Sequence, residues 1–335
     1  MKRAAVVLKT RLLDLIAQFA GPRIVVLGDL LADEFVYGRV ARVSREAPVL
    51  ILEYDSTEIL PGGAGNAANN AAALGGRVTL VGLAGRDDAG RRLLAALPRN
   101  VSRGRIVRPD DYKTPMKTRI LAGGIHSAKQ QVVRIDRRID GVTDTHRAAV
   151  ERAAASAVRQ ADALLVSDYG SGLVTPRFVG ELARGRRALP ILIDSRYALT
   201  RYSRLTACTP NESEVEQVLG VEIDDKPRVL ERAGRAILKQ TRMQAVLVTR
   251  GSRGMALFEP DKPTVHIPIF GSDQIADVTG AGDTVMATMT LSLAAGGSFE
   301  EAARLANYAG GLVVMKRGTA TVSADELRRA VESDG

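Results

Sequence analysis

Short runs rich in Val, Ile and Leu recur along the chain at 23–29, 78–83, 163–168, 191–194 and 246–249, separated by stretches of helical periodicity. Near-continuous apolar runs of this length predict strands buried on both faces, and a parallel sheet is the arrangement that buries them so. Helical patterns at 145–160, 176–184 and 227–240 supply the crossovers. The chain is therefore predicted to be α/β, a three-layer α/β/α sandwich with a mostly parallel sheet. Several strands end in a polar residue, Asp29, Asp168, Asp194 or Thr249. Open α/β sheets bind ligands outside the carboxyl ends of their strands, so these residues mark one edge as the site edge. Taken singly, each aspartate is equally suited to capping the helix that follows.

Two stretches break the alternation. Residues 48–54 with 57–60, and 116–121 with 131–135, read as strands joined without helices. A small sheet of this kind is too thin to stand alone, so it should lean on the main sheet as a lid or pair with a second subunit. The 335 residues contain no repeat or low-complexity tract. One domain spanning 1–335, with lid strands from about 47–61 and 112–136, is expected.

Composition narrows the function. The charge of +9 is spread along the chain and aromatics are 4% with no Trp, which supplies no basic stripe or stacking platform for nucleic acid. Lys2, Arg3, Lys9, Arg11 and Asp14 interrupt the first twenty residues, so no signal peptide or membrane span is expected and the protein should be cytoplasmic. Leu8, Leu12, Leu13, Ile16 and Phe19 instead follow helical spacing. The single cysteine, Cys208, reads as a buried strand residue, and the three histidines His126, His146 and His266 are too scattered for a zinc site.

The segment Asp277-Val278-Thr279-Gly280-Ala281-Gly282-Asp283-Thr284 precedes a helical run. Small residues at Gly280, Ala281 and Gly282 allow a tight turn whose amides point outward at a helix start, a hole for an anion. A carboxylate at Asp283, in the first turn, would sit beside that anion and accept a proton from an attacking hydroxyl. Earlier in the chain, Gly62 and Gly63 permit close approach of a ligand to the backbone, and Asn66 offers a donor and an acceptor. A Walker pattern is absent, and Gly28-Asp29-Leu30 does not supply the Gly-x-Gly-x-x-Gly of a dinucleotide fold.

The two glycine motifs together resemble the signatures of the PfkB, or ribokinase-like, carbohydrate kinases. The resemblance implies an ATP-dependent phosphotransferase acting on a sugar hydroxyl. It makes Asp283 the catalytic base, the Gly280, Ala281 and Gly282 amides the anion hole, and Gly62, Gly63 and Asn66 a sugar-binding turn, with Asp29 and Asp33 as hydroxyl acceptors. The segment containing Asn211, Glu212, Ser213 and Glu214 resembles the family's Asn-x-x-Glu motif, with Glu214 organising Mg²⁺ through water. Thr249, Gly251 and Gly254 resemble its nucleotide-binding turn, and Asn307 its adenine side. Asp277 and Thr279 match positions that bind a monovalent cation in some relatives.

Stretches outside these signatures, among them 43–49, 130–136, 167–170 and 316–323, resemble the heptose 7-phosphate kinases of lipopolysaccharide-core precursor synthesis. This implies a phosphorylated heptose as substrate, with Gln131 and Arg134 among its contacts and Arg45, Arg119, Arg134 or Arg196 as anchors for its phosphate. Two places depart from that pattern: Asp194-Ser195-Arg196-Tyr197 stands where those kinases have Asp-Pro-Lys-Gly, and the loop 122–129 is longer. Relatives with a fused nucleotidyltransferase domain are bifunctional, whereas a chain ending at Gly335 is expected to perform the kinase step alone. The competing expectations are a fructokinase- or ribokinase-like enzyme for another sugar, and a non-catalytic sugar or nucleotide sensor. The exposed lid predicts a homodimer.

Overall fold

The computed structural model describes residues 2–123, 129–137, 141–186, 188–224, 226–271, 277–316 and 318–334. His126, Arg317 and most of the loop 122–129 lie outside the described residues. The elements in chain order are α1 (Lys2–Ala17), β1 (Arg23–Gly28), β2 (Leu30–Val43), β3 (Leu50–Gly63), α2 (Ala64–Ala73), β4 (Arg77–Leu83), α3 (Asp88–Ala96) and β5 (Val101–Val107). Then come β6 (Met116–Gly123), β7 (Gln130–Arg137), α4 (Asp144–Val158), β8 (Ala163–Asp168), α5 (Pro176–Gly185), β9 (Ile191–Ser195) and β10 (Ala207–Cys208). The chain continues with α6 (Glu212–Leu219), α7 (Pro227–Thr241), β11 (Ala245–Thr249), β12 (Met255–Phe258), β13 (Val265–Ile267), α8 (Ala281–Ala294), α9 (Phe299–Val314) and α10 (Ala324–Ser333).

Nine strands form the main sheet in the order β13-β12-β11-β10-β9-β8-β1-β4-β5. It is parallel from β11 to β5, and β12 and β13 close one end antiparallel. Its apolar runs have no polar alternation because both faces are covered. Ile24 and Val26 of β1 pack into one core, whereas Val25 and Leu27 pack into the other. Residues one apart on a strand point to opposite faces, so a strand sandwiched between helix layers must be apolar throughout. Cys208 is fully buried on β10, and α1 packs its Leu12, Leu15 and Ile16 into the first core.

The second sheet runs β3-β2-β6-β7. The hairpin β2–β3 is antiparallel, β2 and β6 are parallel, and β6–β7 is antiparallel. Sequence reading finds most of β6 and β7 and splits β3 into two strands, but it ends the first strand at 29 and finds no strand over 30–43. In the structure only Asp29 separates β1 from the 14-residue β2, so the chain passes from one sheet to the other across a single residue. Arg39 and Arg42 on the exposed end of β2 hide its period from an apolar pattern.

Candidate active site

Helix α8 begins at the glycine turn. Gly280 is its N-cap in the left-handed region, with φ 80°, and a Cβ there would lie 2.6 Å from Asn66 Nδ2. Only glycine meets both conditions without strain. Asp283 stands in the first turn, 7% exposed, and its Oδ2 accepts a 2.7 Å hydrogen bond from Asn66 Nδ2. Asn66 is itself fixed: Asn70 Nδ2 donates to its Oδ1 (3.2 Å) and its carbonyl (3.0 Å), and Thr284 Oγ1 donates to Asn70 Oδ1 (2.7 Å). This buried relay ties α2 to α8 and sets the carboxylate in one rotamer.

Burial pushes the Asp283 carboxyl up to about 7. The Asn66 hydrogen bond opposes that rise, as does the nearby Lys117 charge, while Asp33 adds to it. A carboxylate titrating near neutrality is matched to removing a proton from a hydroxyl. One amide expected in the anion hole is otherwise engaged. Ala281 N–H donates to Val278 O at 3.2 Å, closing the turn, whereas the Gly280 and Gly282 N–H groups have no acceptor among the described residues. Gly282 has no atom near its would-be Cβ, so the backbone is open to a ligand there.

A cavity of about 540 Å³ opens on this turn. Met255, Ile269, Val285 and Val314, with Gly310 and Gly311, form an apolar slot at one end, and Asn211, Glu214 and Thr249 line a polar stretch. Asn211 and Glu214 make a capping box on α6: each side chain accepts the other's backbone N–H at 2.9 Å. Glu214 therefore keeps Oε1 free, and burial raises its carboxyl against the pull of those bonds and of Arg196. Asp194 lines the same cavity. Desolvation drives its carboxyl well up, and Glu214, Asp283 and Asp168 add to this. Asn307 donates to Pro268 O at 2.9 Å, which orients it at the apolar end. Gly251 and Gly254, with φ 55° and 76°, shape the turn after β11.

A second cavity, also of about 540 Å³, adjoins the first through Tyr169 and Arg196, which line both. Its wall includes Asp29, Lys117, Arg134, Asp136, Arg137 and Tyr197. Asp29 is engaged locally: it accepts hydrogen bonds from Tyr169 N (2.8 Å) and from the Ser171 hydroxyl. Asp33 pairs with Arg119 at 2.5 Å, and a Cβ on Gly62 would meet its carboxylate at 2.3 Å. Gly63, with φ 58°, brings the backbone against Asp29 O.

Some expected contacts fall elsewhere. Gln131 is exposed opposite Leu121, beyond a bulge in the β6–β7 pairing, nearer the start of β7 than Arg134 and outside both cavity walls. Ser213 is exposed on the first turn of α6. Glu212 is buried but ion-paired with Arg250 (3.3 Å) and Arg253, so it clamps α6 to the turn after β11. Both Asp277 oxygens accept backbone N–H groups, from Thr279 (2.9 Å) and Gly318 (3.1 Å). Arg119 is held by Asp33, and Arg45 lines neither cavity. Lys117, Tyr169 and Asp194 also line the cavities; the sequence signals for them are the resemblance over 167–170 for Tyr169 and the polar strand end for Asp194, and Lys117 has none.

A mostly parallel sheet with a small second sheet over its carboxyl edge, and an aspartate at a glycine-capped helix start, define a carbohydrate kinase of ribokinase-like fold. The model for the pfkB family of carbohydrate kinases matches residues 22–326, and the chain belongs to that family. It is 38% identical over 320 residues to the bifunctional protein HldE of Caulobacter vibrioides, covering 94% of this chain and 64% of that one. It is 39% identical over 318 residues to HldE of Coxiella burnetii, covering 94% and 65%. The chain thus spans just under two thirds of these relatives. Among solved structures, Arabidopsis thaliana ribokinase complexed with ribose and ATP superposes with a TM-score of 0.70 at 21% identity, covering 93% of this chain and 99% of that one. Escherichia coli phosphofructokinase-2 in complex with fructose-6-phosphate gives 0.70 at 19%, covering 93% and 98%. Among the described residues, no helix is long and apolar enough to cross a membrane.

Proposed function

We propose that this kinase transfers the γ-phosphoryl group of ATP to a hydroxyl of a sugar that already bears a phosphate, heptose 7-phosphate being the foremost substrate, giving heptose 1,7-bisphosphate. The observation that carries the reading is the pairing of two adjoining cavities: one with Asp283, an apolar slot and a helix start, the other with Lys117, Arg134, Arg137 and Arg196 in its wall. Guanidinium forks match phosphate oxygens, and four cations suit a dianionic group. Identity to the HldE proteins over 94% of the chain supports heptose as the sugar.

In this reading Asp283 takes the proton of the attacking hydroxyl, and the Gly280 and Gly282 amides stabilise charge on the transferring group. Asn211 positions α6 at the nucleotide, Thr249, Gly251 and Gly254 form its turn, and Asn307 bounds the base. Asp29, Asp33, Gly62 and Gly63 shape the floor against which the sugar lies. Among the described residues no cluster of three or more His, Cys, Asp or Glu could cage a metal. The carboxyl groups of Glu214 and Asp194 in the first cavity suit Mg²⁺, which keeps waters and substrate phosphates as most of its ligands. Glu214 and Asp194 would hold it through water, and it would neutralise phosphate charge. The four-stranded sheet would close over the sugar and, with Val133, Ile135, Leu50 and Tyr54 exposed on it, pair with a second copy.

An ADP-release assay tests the substrate. Heptose 7-phosphate should exceed unphosphorylated heptose, ribose and fructose in kcat/KM by about 10–10²-fold or more, the scale of losing one or two hydrogen bonds to charged groups. Equal values with and without the phosphate would overturn the proposal. A second reading, another phosphosugar, is favoured by one observation: Arg196 and Tyr197, where the sequence departs from the heptose kinases, both line the second cavity.

A further inference from the structure

The fold gathers four arginines that the sequence keeps far apart. Arg23 begins β1 and Arg77 begins β4, and the two stand side by side in the register of that parallel pair. Arg105 lies on β5 across from Val81 of β4. Strand alternation puts Arg23 on the face of Val25, and Arg77 and Arg105 on the face of Val81. Both valines pack into the core beneath α4, so the three arginines project from the face that α4 covers. Arg159 is the C-cap of α4. All four line one groove of about 950 Å³ at the amino edge of the sheet, and no Asp or Glu stands in its wall.

Like charges set side by side on neighbouring strands are unfavourable, and a carboxylate compensates one of the four. Asp162 accepts hydrogen bonds from Arg23 Nε (3.1 Å), Nη2 (3.0 Å) and backbone N–H (2.8 Å). Arg77, Arg105 and Arg159 make no side-chain ion pair or hydrogen bond among the described residues. The negative end of α4 does not use them. Carbonyls at and just beyond that end, of Val158 (3.1 Å), Arg159 and Ala161 (3.3 Å), accept hydrogen bonds from the Arg186 guanidinium instead, so the helix dipole gives no reason for the cluster. Between the arginines the pairing of β4 with β5 shifts register, and beside Gly104 there is open space where a Cβ would stand. Thr79 and Ser102, partners across those strands, bring two hydroxyls to the same wall.

Guanidinium forks match phosphate oxygens, and their convergence in a concave wall with hydroxyls and open backbone fits an anion of several charges. We propose that this groove is a second ligand site, apart from the active centre, which takes a small molecule bearing two phosphate groups or a pyrophosphate. The charge count selects that class: one phosphate dianion would leave a guanidinium uncompensated, and a second phosphate group removes the excess. The end of α4, the turn before β4 and the start of β5 frame a pocket, whereas a nucleic-acid backbone needs a continuous basic track. Asp29, in the wall of the second active-site cavity, follows the other end of β1, and a strand of that length sets the two sites about 20 Å apart. Binding in the groove is therefore independent of which sugar is phosphorylated.

The probe is inorganic pyrophosphate, followed on the full chain by ¹H–¹⁵N NMR of the arginine Nε–H groups. Each signal is the one missing in Arg77→Lys, Arg105→Lys or Arg159→Lys. At about 0.1 M salt the three signals should follow one saturable curve with Kd below about 1 mM. Arg77→Gln combined with Arg159→Gln should weaken binding by about 10²-fold or more, the scale of losing two hydrogen-bonding charges, while ADP release measured without pyrophosphate stays that of the parent. Arg105→Gln, weakening binding by about tenfold, repeats the measurement should the double variant fail to fold. Signals that stay unmoved or drift without saturating, or neutral variants that bind as the parent does, overturn the proposal. Titrations with ADP and with fructose 1,6-bisphosphate separate a nucleotide from a sugar bisphosphate as the source, and saturation by pyrophosphate alone leaves the inorganic anion as the ligand. Duplex DNA saturating the three signals where none of these anions does overturns the small-molecule class.

Discussion

Asp283→Asn should abolish turnover and make the protein more stable. The carboxyl has an ordinary value of 3.8 and is raised to about 7 in the folded chain. At about 1.4 kcal/mol per pKa unit, roughly three units correspond to a penalty of up to about 4 kcal/mol for ionising it in place. The folded chain binds more protons than the unfolded chain between about pH 4 and pH 7. Stability therefore declines as pH rises through that window and stays reduced above it. Asparagine carries no charge and keeps an oxygen to accept the 2.7 Å bond from Asn66. With partial relaxation around the charge, a gain of about 2 kcal/mol is expected at about pH 8, shrinking to near zero at about pH 4. Urea unfolding of both proteins at the two pH values measures it, with ADP release as the activity readout. A variant no more stable than the parent at the higher pH, or a difference independent of pH, would refute the reasoning. Turnover within a few fold of the parent would remove Asp283 from the chemistry.

Gly280→Ala should cost about 1–3 kcal/mol, because φ 80° strains a residue with a Cβ. The methyl at 2.6 Å from Asn66 Nδ2 should also displace Asp283's partner, lowering kcat by about 10²-fold; retained kcat despite lost stability would separate the turn from the chemistry. For the small sheet, light scattering should give the parent the mass of two chains and the Tyr54→Glu, Val133→Glu double variant that of one. A monomeric parent would refute pairing through this sheet.

How much could be read in advance follows from what each element answers to. The strands 23–28, 163–168 and 245–249 were legible because helices cover both faces and force apolar residues at every position. The Asp283 turn was legible because its constraints are local: a left-handed N-cap, open backbone and a first-turn carboxylate are all set within a few residues. Lys117 was not. Its place in the second cavity wall depends on the register of β6 against two other strands, which sets it beside Asp33 and opposite Asp136. No spacing along one strand carries that information. The neighbours of Gln131 were hidden for the related reason that a bulge between Ile120 and Leu121 fixes them.

Asn211 and Glu214 expose a further limit, because their spacing answers to two demands at once. Asn-x-x-Glu is sufficient to form a capping box on any helix, and it does so here with both bonds at 2.9 Å. The same geometry uses one oxygen of Glu214 and leaves the other in the cavity. The cap fixes the backbone of α6, and through that fixed backbone the free oxygen gains a defined position. Glu212, one residue after Asn211, does not line the cavity but pairs with Arg250 and Arg253. The helix start is therefore anchored twice, once by its own box and once by the turn after β11. A site built on such anchored termini places its ligand oxygens without relying on long side chains, and so with little rotamer entropy left to lose when ATP binds.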